Sequence, residues 1–203
     1  MFNLNITNNN TNDPYHHLDA QSWVQKQIEW GWNHISGLSL LPHIQSLNGD
    51  LIGCELGVCL GFTSELFKKN IPNLKKYYAV DNYPTYIDWN GGDLNKERQN
   101  LIKQFAYDKL SPLGVDLVYK SSDEFSQTIP DNHLDFIFID GDHSYDGALK
   151  DFNNFYKKVK IGGIFAGHDY NNKEVNRAIK DFVKSDYESI ITLNDNVWYK
   201  IKI

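Results

Sequence analysis

Short apolar runs alternate with amphipathic stretches along most of the chain, and this alternation limits the folds that the chain can adopt. We predict buried strands at five apolar runs, residues 51–56, 77–80, 115–119, 134–139 and 164–166. Helical patterns fall between them, at 61–69, 94–110, 145–159 and 174–184, with a short helical turn from Ser122. Strands that alternate with helices form parallel βαβ units, because parallel neighbours need a crossover connection.

The two ends of the chain depart from this alternation. Near the C-terminus, short strands at 188–193 and 197–203 are joined by the tight turn 194–196, which makes the pair antiparallel. Residues 3–13 are rich in Asn and Thr and predict a poorly ordered arm, and residues 19–41 predict helices that cap the domain. The expected fold is a doubly wound, mostly parallel α/β sheet of seven strands with an antiparallel last strand and an N-terminal helical cap.

Composition and charge exclude several classes of partner. The net charge is −6 and the pI is near 5.6, so we expect no nucleic-acid partner, since phosphate binding needs a basic face. No run approaches the roughly 20 apolar residues of a membrane span, and no secretory signal is evident at the N-terminus. Cys54 and Cys59 flank one short turn, so a disulfide is not expected. We therefore expect a reduced, cytoplasmic protein.

Acidic residues and histidines follow two of the predicted strands. The run 134–139 ends in Asp140-Gly-Asp142-His143, and the run 164–166 continues through Gly167 into His168-Asp169. In an open α/β sheet, ligands bind in the crevice at the carboxyl ends of the strands. Two neighbouring strands that end in Asp and His would place an acid, a base and a metal-binding group together. The pattern therefore predicts an active site at this edge.

A glycine turn follows the first predicted strand and indicates which cofactor the edge could bind. In the stretch Glu55-Leu-Gly57-Val-Cys59-Leu-Gly61, Cys59 occupies the middle glycine position of a dinucleotide fingerprint, and no Walker pattern follows. Glu55 would repel a pyrophosphate but tolerate a cation, and Asp81 could accept hydrogen bonds from a ribose. These features favour S-adenosylmethionine, a sulfonium. The alternative is that the two glycines only shape a βα turn.

Three motifs in this order resemble those of class I, Rossmann-like S-adenosylmethionine-dependent methyltransferases. The stretch 55–63 is similar to the first motif of the catechol and caffeoyl-CoA O-methyltransferase branch. The stretches 138–147 and 162–170, with the signature DGDHSY…GHDY, resemble a bacterial methyltransferase group often found with sugar genes. The resemblance covers residues 45–200. It implies a division into an N-terminal part, 1–44, and a cofactor-binding methyltransferase domain, 45–203.

The resemblance also implies roles for individual residues. His143 would be the catalytic base. Asp140, His168 and Asp169 would bind a divalent metal, Mg²⁺ or Mn²⁺, although the family carries Asp-Asn where this chain has His168-Asp169. The residues expected at the cofactor, with the ribose at Asp81 and the adenine at the Ser122–Asp123 pair, are Glu55, Gly57, Gly61, Asp81, Ser122, Asp123 and Asp140.

The expected activity is O-methylation of a hydroxyl on a small molecule or sugar, assisted by a divalent metal. Methyl transfer needs an in-line arrangement and removal of the hydroxyl proton, which a neutral imidazole can accept. Three alternatives stay open at this point: a metal-independent methyltransferase acting on an amine or carboxylate, a metallohydrolase, and a domain that only senses the cofactor. His143 and His168 could also be purely structural. A Trp-rich N-terminal segment is consistent with a homodimer.

Overall fold

The computed structural model describes residues 17–29, 35–87 and 93–203, so the predicted arm at 3–13 lies outside the described residues. Within the described part, seven α-helices form, and short 3-10 helices accompany them at Leu38–Leu40, Ser111–Leu113 and Lys184–Ser189. The α-helices are α1 (Ala20–Gln27), α2 (Leu41–Gln45), α3 (Phe62–Asn70), α4 (Lys96–Leu110), α5 (Ser122–Ser126), α6 (Tyr145–Tyr156) and α7 (Lys173–Val183).

One seven-stranded sheet forms the centre of the fold, in the order β5-β2-β1-β6-β7-β9-β8. Its strands are β1 (Leu51–Leu56), β2 (Leu74–Val80), β5 (Asp116–Val118), β6 (Leu134–Ile139), β7 (Val159–Gly167), β8 (Ile191–Thr192) and β9 (Trp198–Ile201). A separate antiparallel ribbon joins β3 (Tyr86–Ile87) to β4 (Asp93–Leu94). The first five sheet strands are parallel and β9 is antiparallel to both neighbours, which confirms the predicted fold.

The register of the parallel strands aligns their carboxyl ends. Val80 pairs with Leu56, Leu56 with Ile139, and Ile139 with Gly167. The residue after each of these strand ends therefore enters the same crevice. This row brings together the glycine turn, Asp81, Asp140 and the His168–Asp169 pair, which are far apart in sequence.

Side chains of the central strands alternate between two apolar cores, as the period of a strand requires. Phe136 and Phe138 of β6 lie in one core, and Ile137 and Ile139 lie in the other. All four are almost fully buried, which is typical of a parallel strand covered by helices on both faces. Among the described residues, none of the helices has the length and apolar character needed to cross a membrane.

Helix α1 belongs to the N-terminal cap and packs on the long helix α4. The Asp19 carboxylate caps it by accepting a hydrogen bond from the Ser22 amide, at 2.9 Å. Trp23 is fully buried, and the Arg98 guanidinium lies 4.2 Å from the centre of a Trp23 ring. Trp23 is thus buried within its own chain and does not contribute to an exposed apolar surface. The homodimer stays a prediction.

The boundaries of several elements differ from the sequence-based expectation. Strand β7 begins at Val159 rather than 164, because Gly162 and Gly163 interrupt the apolar pattern without ending the strand. The predicted strand 188–193 is wrong over most of its length. Residues 184–189 form a 3-10 helix, in which the Ser189 hydroxyl donates to the Asp186 carbonyl at 2.7 Å. Only Ile191–Thr192 pair with β9.

Gly57 follows the carboxyl end of β1, next to the end of β6. A residue with a side chain would not fit at this position. Its φ is +84°, in the left-handed region that favours glycine. A Cβ at this position would lie 2.0 Å from the carbonyl oxygen of Asp140. Since that oxygen is backbone, it cannot rotate away as a side chain could. The glycine turn is therefore held against the end of β6.

We expect Gly57→Ala to destabilise the protein more than Gly49→Ala. Gly49 has a similar φ of +82°, but a Cβ added there would meet no atom within 4 Å, so its variant bears only the backbone strain of about 1–2 kcal/mol. Gly57→Ala adds a steric clash that costs roughly another 1–3 kcal/mol. Urea unfolding of both variants measures the difference. Equal losses of stability would show that the close approach to Asp140 is not constraining.

Candidate active site

A cavity of about 850 Å³ opens at the carboxyl edge of the parallel strands. Its size is in the range of pockets that enclose small-molecule ligands. Most of the lining comes from four chain segments, 55–63, 80–84, 120–122 and 140–143, and Asp151 from α6 also contributes. The remaining lining residues are Ser36, Tyr86, Leu94, Gln99 and Ile102. The cavity therefore brings together the glycine turn, Asp81, Ser122, Asp140 and His143 of the predicted site.

Asp81 holds the glycine turn in place through its carboxylate. One oxygen accepts hydrogen bonds from the amides of Val58 and Cys59, both at 3.0 Å, and the other accepts from the Tyr83 amide at 2.7 Å. Burial raises the pKa of Asp81, and the three amide donors oppose that rise. Asp81, the residue predicted to bind the ribose, thus joins the end of β2 to the turn after β1.

Glu55 lies beneath the glycine turn with only 1% of its surface exposed. Its carboxyl group accepts hydrogen bonds from the hydroxyls of Ser64 and Tyr77. Burial raises the pKa of Glu55 to about 8, so the neutral acid is favoured at pH 7. The sequence predicts a negative charge on Glu55 that suits a cationic ligand. The surroundings of Glu55 instead favour its uncharged form, and its side chain joins β1 to α3 and β2.

Two carboxylates and two imidazoles meet at the edge of the cavity, after β6 and β7. His143 Nε2 lies 3.3 Å from Asp140 Oδ1 and 3.0 Å from Asp169 Oδ2. His168 Nδ1 lies 3.6 Å and 3.5 Å from the same two oxygens. The structure therefore unites all four residues that the sequence placed at the catalytic centre. We call Asp140, His143, His168 and Asp169 the acid–imidazole cluster.

The members of the acid–imidazole cluster stabilise one another's charged forms. Hydrogen bonds to Asp140 and Asp169 raise the pKa of His143 to about 10. Burial opposes the charged form of His168, but the same two carboxylates outweigh it and raise its pKa to about 10. Burial likewise disfavours charge on Asp169, yet the two imidazoles hold its pKa well below the usual value. Two adjacent carboxylates thus create a strong local demand for positive charge.

This arrangement of donors is compatible with a divalent cation. Ligating atoms of Asp140, His143 and Asp169 all lie within 4.8 Å of one another. The predicted ligand set contained His168 instead, and its imidazole faces the same carboxylate oxygens. Carboxylate oxygens alone suit Mg²⁺, and an imidazole nitrogen shifts the preference towards Mn²⁺, Fe²⁺ or Zn²⁺.

Asn196 orients Asp169, although the sequence pattern does not indicate it as a site residue. Its side-chain amide donates to Asp169 Oδ1 at 3.2 Å, and its Oδ1 accepts from the Asn171 amide at 2.7 Å. Its backbone carbonyl accepts from the Tyr170 amide at 3.1 Å. The sequence shows 194–196 only as a hairpin turn. Its contact with the β7–α7 loop depends on the antiparallel pairing of β9 with β7.

The predicted adenine residues separate in the structure. The Ser122 hydroxyl lines the cavity and donates to Asp151 Oδ1 at 2.5 Å. The Asp123 carboxylate does not line the cavity, and it contacts Lys150 Nζ at 3.0 Å and Asn154 Nδ2 at 3.1 Å. Asp151 is only 5% exposed, and the sequence does not indicate it as a site residue, because a single Asp within the amphipathic pattern of α6 gives no signal of its own.

Comparisons with known proteins agree on the family. Residues 54–170, more than half of the chain, match the family described as Methyltransferase domain. The uncharacterized protein R132 of Acanthamoeba polyphaga mimivirus is 32% identical over 130 residues, which are 60% of this chain and 52% of that protein. The chain therefore spans about half the length of this curated relative.

Several solved methyltransferase structures share the fold. The O-methyltransferase NovP superposes with a TM-score of 0.57 at 18% identity, covering 81% of this chain and 80% of NovP. A caffeoyl-CoA O-methyltransferase-like protein from Staphylococcus aureus gives 0.60 at 16% identity, covering 93% and 94%. An rRNA methylase from Streptococcus thermophilus gives 0.56 at 12% identity, covering 81% and 95%.

These structural likenesses establish the fold and do not select an acceptor, since proteins described as a caffeoyl-CoA O-methyltransferase and as an rRNA methylase both share it. The family match rests on the stretch that carries the glycine turn, Asp81, and the acid–imidazole cluster. It confirms the domain class predicted from the sequence motifs. The chain belongs to the methyltransferase domain family and has the fold of class I, S-adenosylmethionine-dependent methyltransferases.

Proposed function

We propose that the protein is an S-adenosylmethionine-dependent O-methyltransferase that acts on a hydroxyl of a small molecule or sugar with the help of a divalent metal. One observation carries this proposal: the cavity built on the glycine turn ends at the acid–imidazole cluster. A cofactor in the cavity would thus present its methyl group beside groups that can bind and deprotonate a hydroxyl.

The order of the strand ends suggests how the cofactor lies. Asp81, at the end of β2, is the carboxylate proposed to bind the ribose. Gly57 and Gly61, both with φ in the left-handed region, shape the turn that lines the cavity before α3. The acid–imidazole cluster lies on the other side of β1, at the ends of β6 and β7. The reactive methyl group is therefore expected between Gly57 and His143.

His143 is the proposed base because it belongs to both the cavity and the cluster. It lines the cavity, and its side chain is 48% exposed, so an acceptor hydroxyl can reach it. Without a cation between them, the carboxylates of Asp140 and Asp169 raise the pKa of His143 to about 10, so the imidazole is protonated at neutral pH. A divalent cation held by Asp140 and Asp169 would supply the positive charge that these carboxylates need. The imidazole of His143 can then accept the hydroxyl proton as the methyl group transfers.

His168 and Asn196 have supporting roles in this proposal. The His168 imidazole is 13% exposed and faces both carboxylates, so it is better placed as a metal ligand than as a base open to the acceptor. Asn196 fixes one oxygen of Asp169 and leaves the other directed at the cluster. Such positioning contacts maintain ligand geometry in metal sites.

The acid–imidazole cluster alone would also suit a metallohydrolase, but a metallohydrolase would not need the part of the cavity lined by the glycine turn and Asp81. The glycine turn and Asp81 form a site at the start of α3, well suited to a nucleoside ligand, and the family match favours methyl transfer. A hydroxyl acceptor is favoured over an amine because the cluster combines a proton acceptor with carboxylates that can hold a cation. The acidic pI agrees with an acceptor other than a nucleic acid.

We expect the protein to bind Mn²⁺ through the two carboxylates of the cluster. Asp169→Asn should weaken this binding by at least roughly tenfold, because a charged ligand is lost. Calorimetric titration with MnCl₂ measures the affinity. Asp116→Asn is the matched control, since Asp116 is an exposed carboxylate on β5 that pairs with Lys76 at 3.5 Å. Equal Mn²⁺ affinity in wild type and Asp169→Asn would contradict the assigned site.

His143→Ala should lower methyl transfer by roughly 100-fold or more, which is the usual contribution of a general base, while cofactor affinity stays near the wild-type value. The assay follows radiolabelled methyl transfer from S-adenosylmethionine to the best acceptor in a panel of sugars and phenols. His133→Ala is the control, because His133 contacts Tyr78 at 3.2 Å and does not line the cavity.

Three results of these assays would change the assignment. Full turnover in His143→Ala would remove His143 from the mechanism. Loss of Mn²⁺ affinity in His143→Ala, with affinity retained in His168→Ala, would make His143 the ligand and not the base. Wild-type turnover that survives exhaustive chelation with EDTA would favour the metal-independent alternative.

A further inference from the structure

The buried carboxylate of Asp151, on α6, lines the cavity and has no role in the proposed reaction. Asp151 is 5% exposed. Its Oδ1 accepts the Ser122 hydroxyl hydrogen bond at 2.5 Å. Its Oδ2 faces the end of β6, 3.7 Å from where a Cβ on Gly141 would lie. Asp151 therefore joins the loops that follow β5 and β6.

Within residues 17–29, 35–87 and 93–203, the Ser122 hydroxyl is the hydrogen-bond donor that contacts the Asp151 carboxylate. A carboxylate offers about four acceptor positions, and the Ser122 hydroxyl uses one of them. The neighbouring cation, Lys150, forms its ion pair with Asp123 instead. Burial accordingly raises the pKa of Asp151 to about 6. Buried polar groups in folded proteins are nearly always paired, so a ligand with N–H donors would complete this site.

The proposed cofactor orientation brings such donors to Asp151. If the methyl group lies at the acid–imidazole cluster and the ribose at Asp81, the adenine must lie further along the cavity. Strand β5 is the neighbour of β2 on that side, and residues 120–122 after it line the cavity. Asp151 is held there by Ser122. The exocyclic amino group of adenine carries two N–H donors, and the corresponding oxo group of hypoxanthine carries none.

We infer that Asp151 accepts a hydrogen bond from the exocyclic amino group of the cofactor's adenine and thereby selects adenosyl over inosyl ligands. This inference rests on the proposed function. The contact then comes from a side chain of α6, about 30 residues after the Ser122–Asp123 pair at which the family resemblance implies the adenine. Asp123 is directed away, to Lys150 and Asn154.

The test compares S-adenosylhomocysteine with S-inosylhomocysteine by calorimetric titration of the full chain. Wild type should bind the adenosyl compound on the order of 10- to 100-fold more tightly than the inosyl compound. The oxo group of the inosyl compound cannot donate a hydrogen bond to the Asp151 carboxylate, and the two acceptors would repel each other. Asp151→Asn should reduce this preference to within about threefold, since an amide can also donate to an oxo group. The substitution conserves volume and can still accept the Ser122 hydroxyl.

Two further variants make the test specific. Asp146→Asn carries the same substitution at an exposed position of the same helix and should keep the wild-type preference. Asp123→Asn tests the competing assignment. If Asp123→Asn removes the preference while Asp151→Asn retains it, the inference is overturned.

A further ligand tests the inference on the wild-type protein alone, so that the result does not depend on whether a variant folds. The N6,N6-dimethyl derivative of S-adenosylhomocysteine lacks both N–H donors and should bind wild type at least roughly tenfold more weakly than the parent compound. Equal affinity of wild type for the adenosyl and inosyl compounds, or for the parent and dimethyl compounds, overturns this inference alone. Failure of wild type to bind any of these nucleosides overturns the proposed function together with it.

Discussion

The contact between the turn after β1 and the end of β6 is the constraint on which the rest of the site depends. Gly57 comes so close to the Asp140 carbonyl that a single added carbon would overlap it. The same residue, Asp140, directs its side chain into the acid–imidazole cluster. One backbone contact therefore fixes the distance between the surface expected to hold the cofactor and the groups expected to act on the acceptor.

The acid–imidazole cluster brings two carboxylates together, and groups from neighbouring elements balance their negative charge. Asp140 and Asp169 come from adjacent parallel strands, and their carboxylates would repel each other if left alone. His143 from the loop before α6 and His168 from the end of β7 provide the compensating charge. Asn196, from the turn before β9, fixes Asp169 from outside. The antiparallel last strand thus contributes to the site as well as to the sheet.

Much of this arrangement could be predicted from local pattern. Strand ends that carry Asp81, Asp140 and Asp169 are recognisable because apolar runs stop there, and parallel register places such ends in one row. Asp151 and Asn196 could not be predicted, because each acts across elements far apart in sequence. The charge state of Glu55 was also hidden, since only the folded protein shows its burial beneath the glycine turn and its bonds to Ser64 and Tyr77.

The central claim is that the cavity at the carboxyl edge binds S-adenosylmethionine. Calorimetric titration of the purified protein with this cofactor, in the presence and absence of EDTA, tests the claim most directly. We expect one site with a dissociation constant in the micromolar range under both conditions, because most of the cavity lining, including Gly57, Gly61 and Asp81, lies outside the acid–imidazole cluster. The absence of binding under both conditions would contradict it.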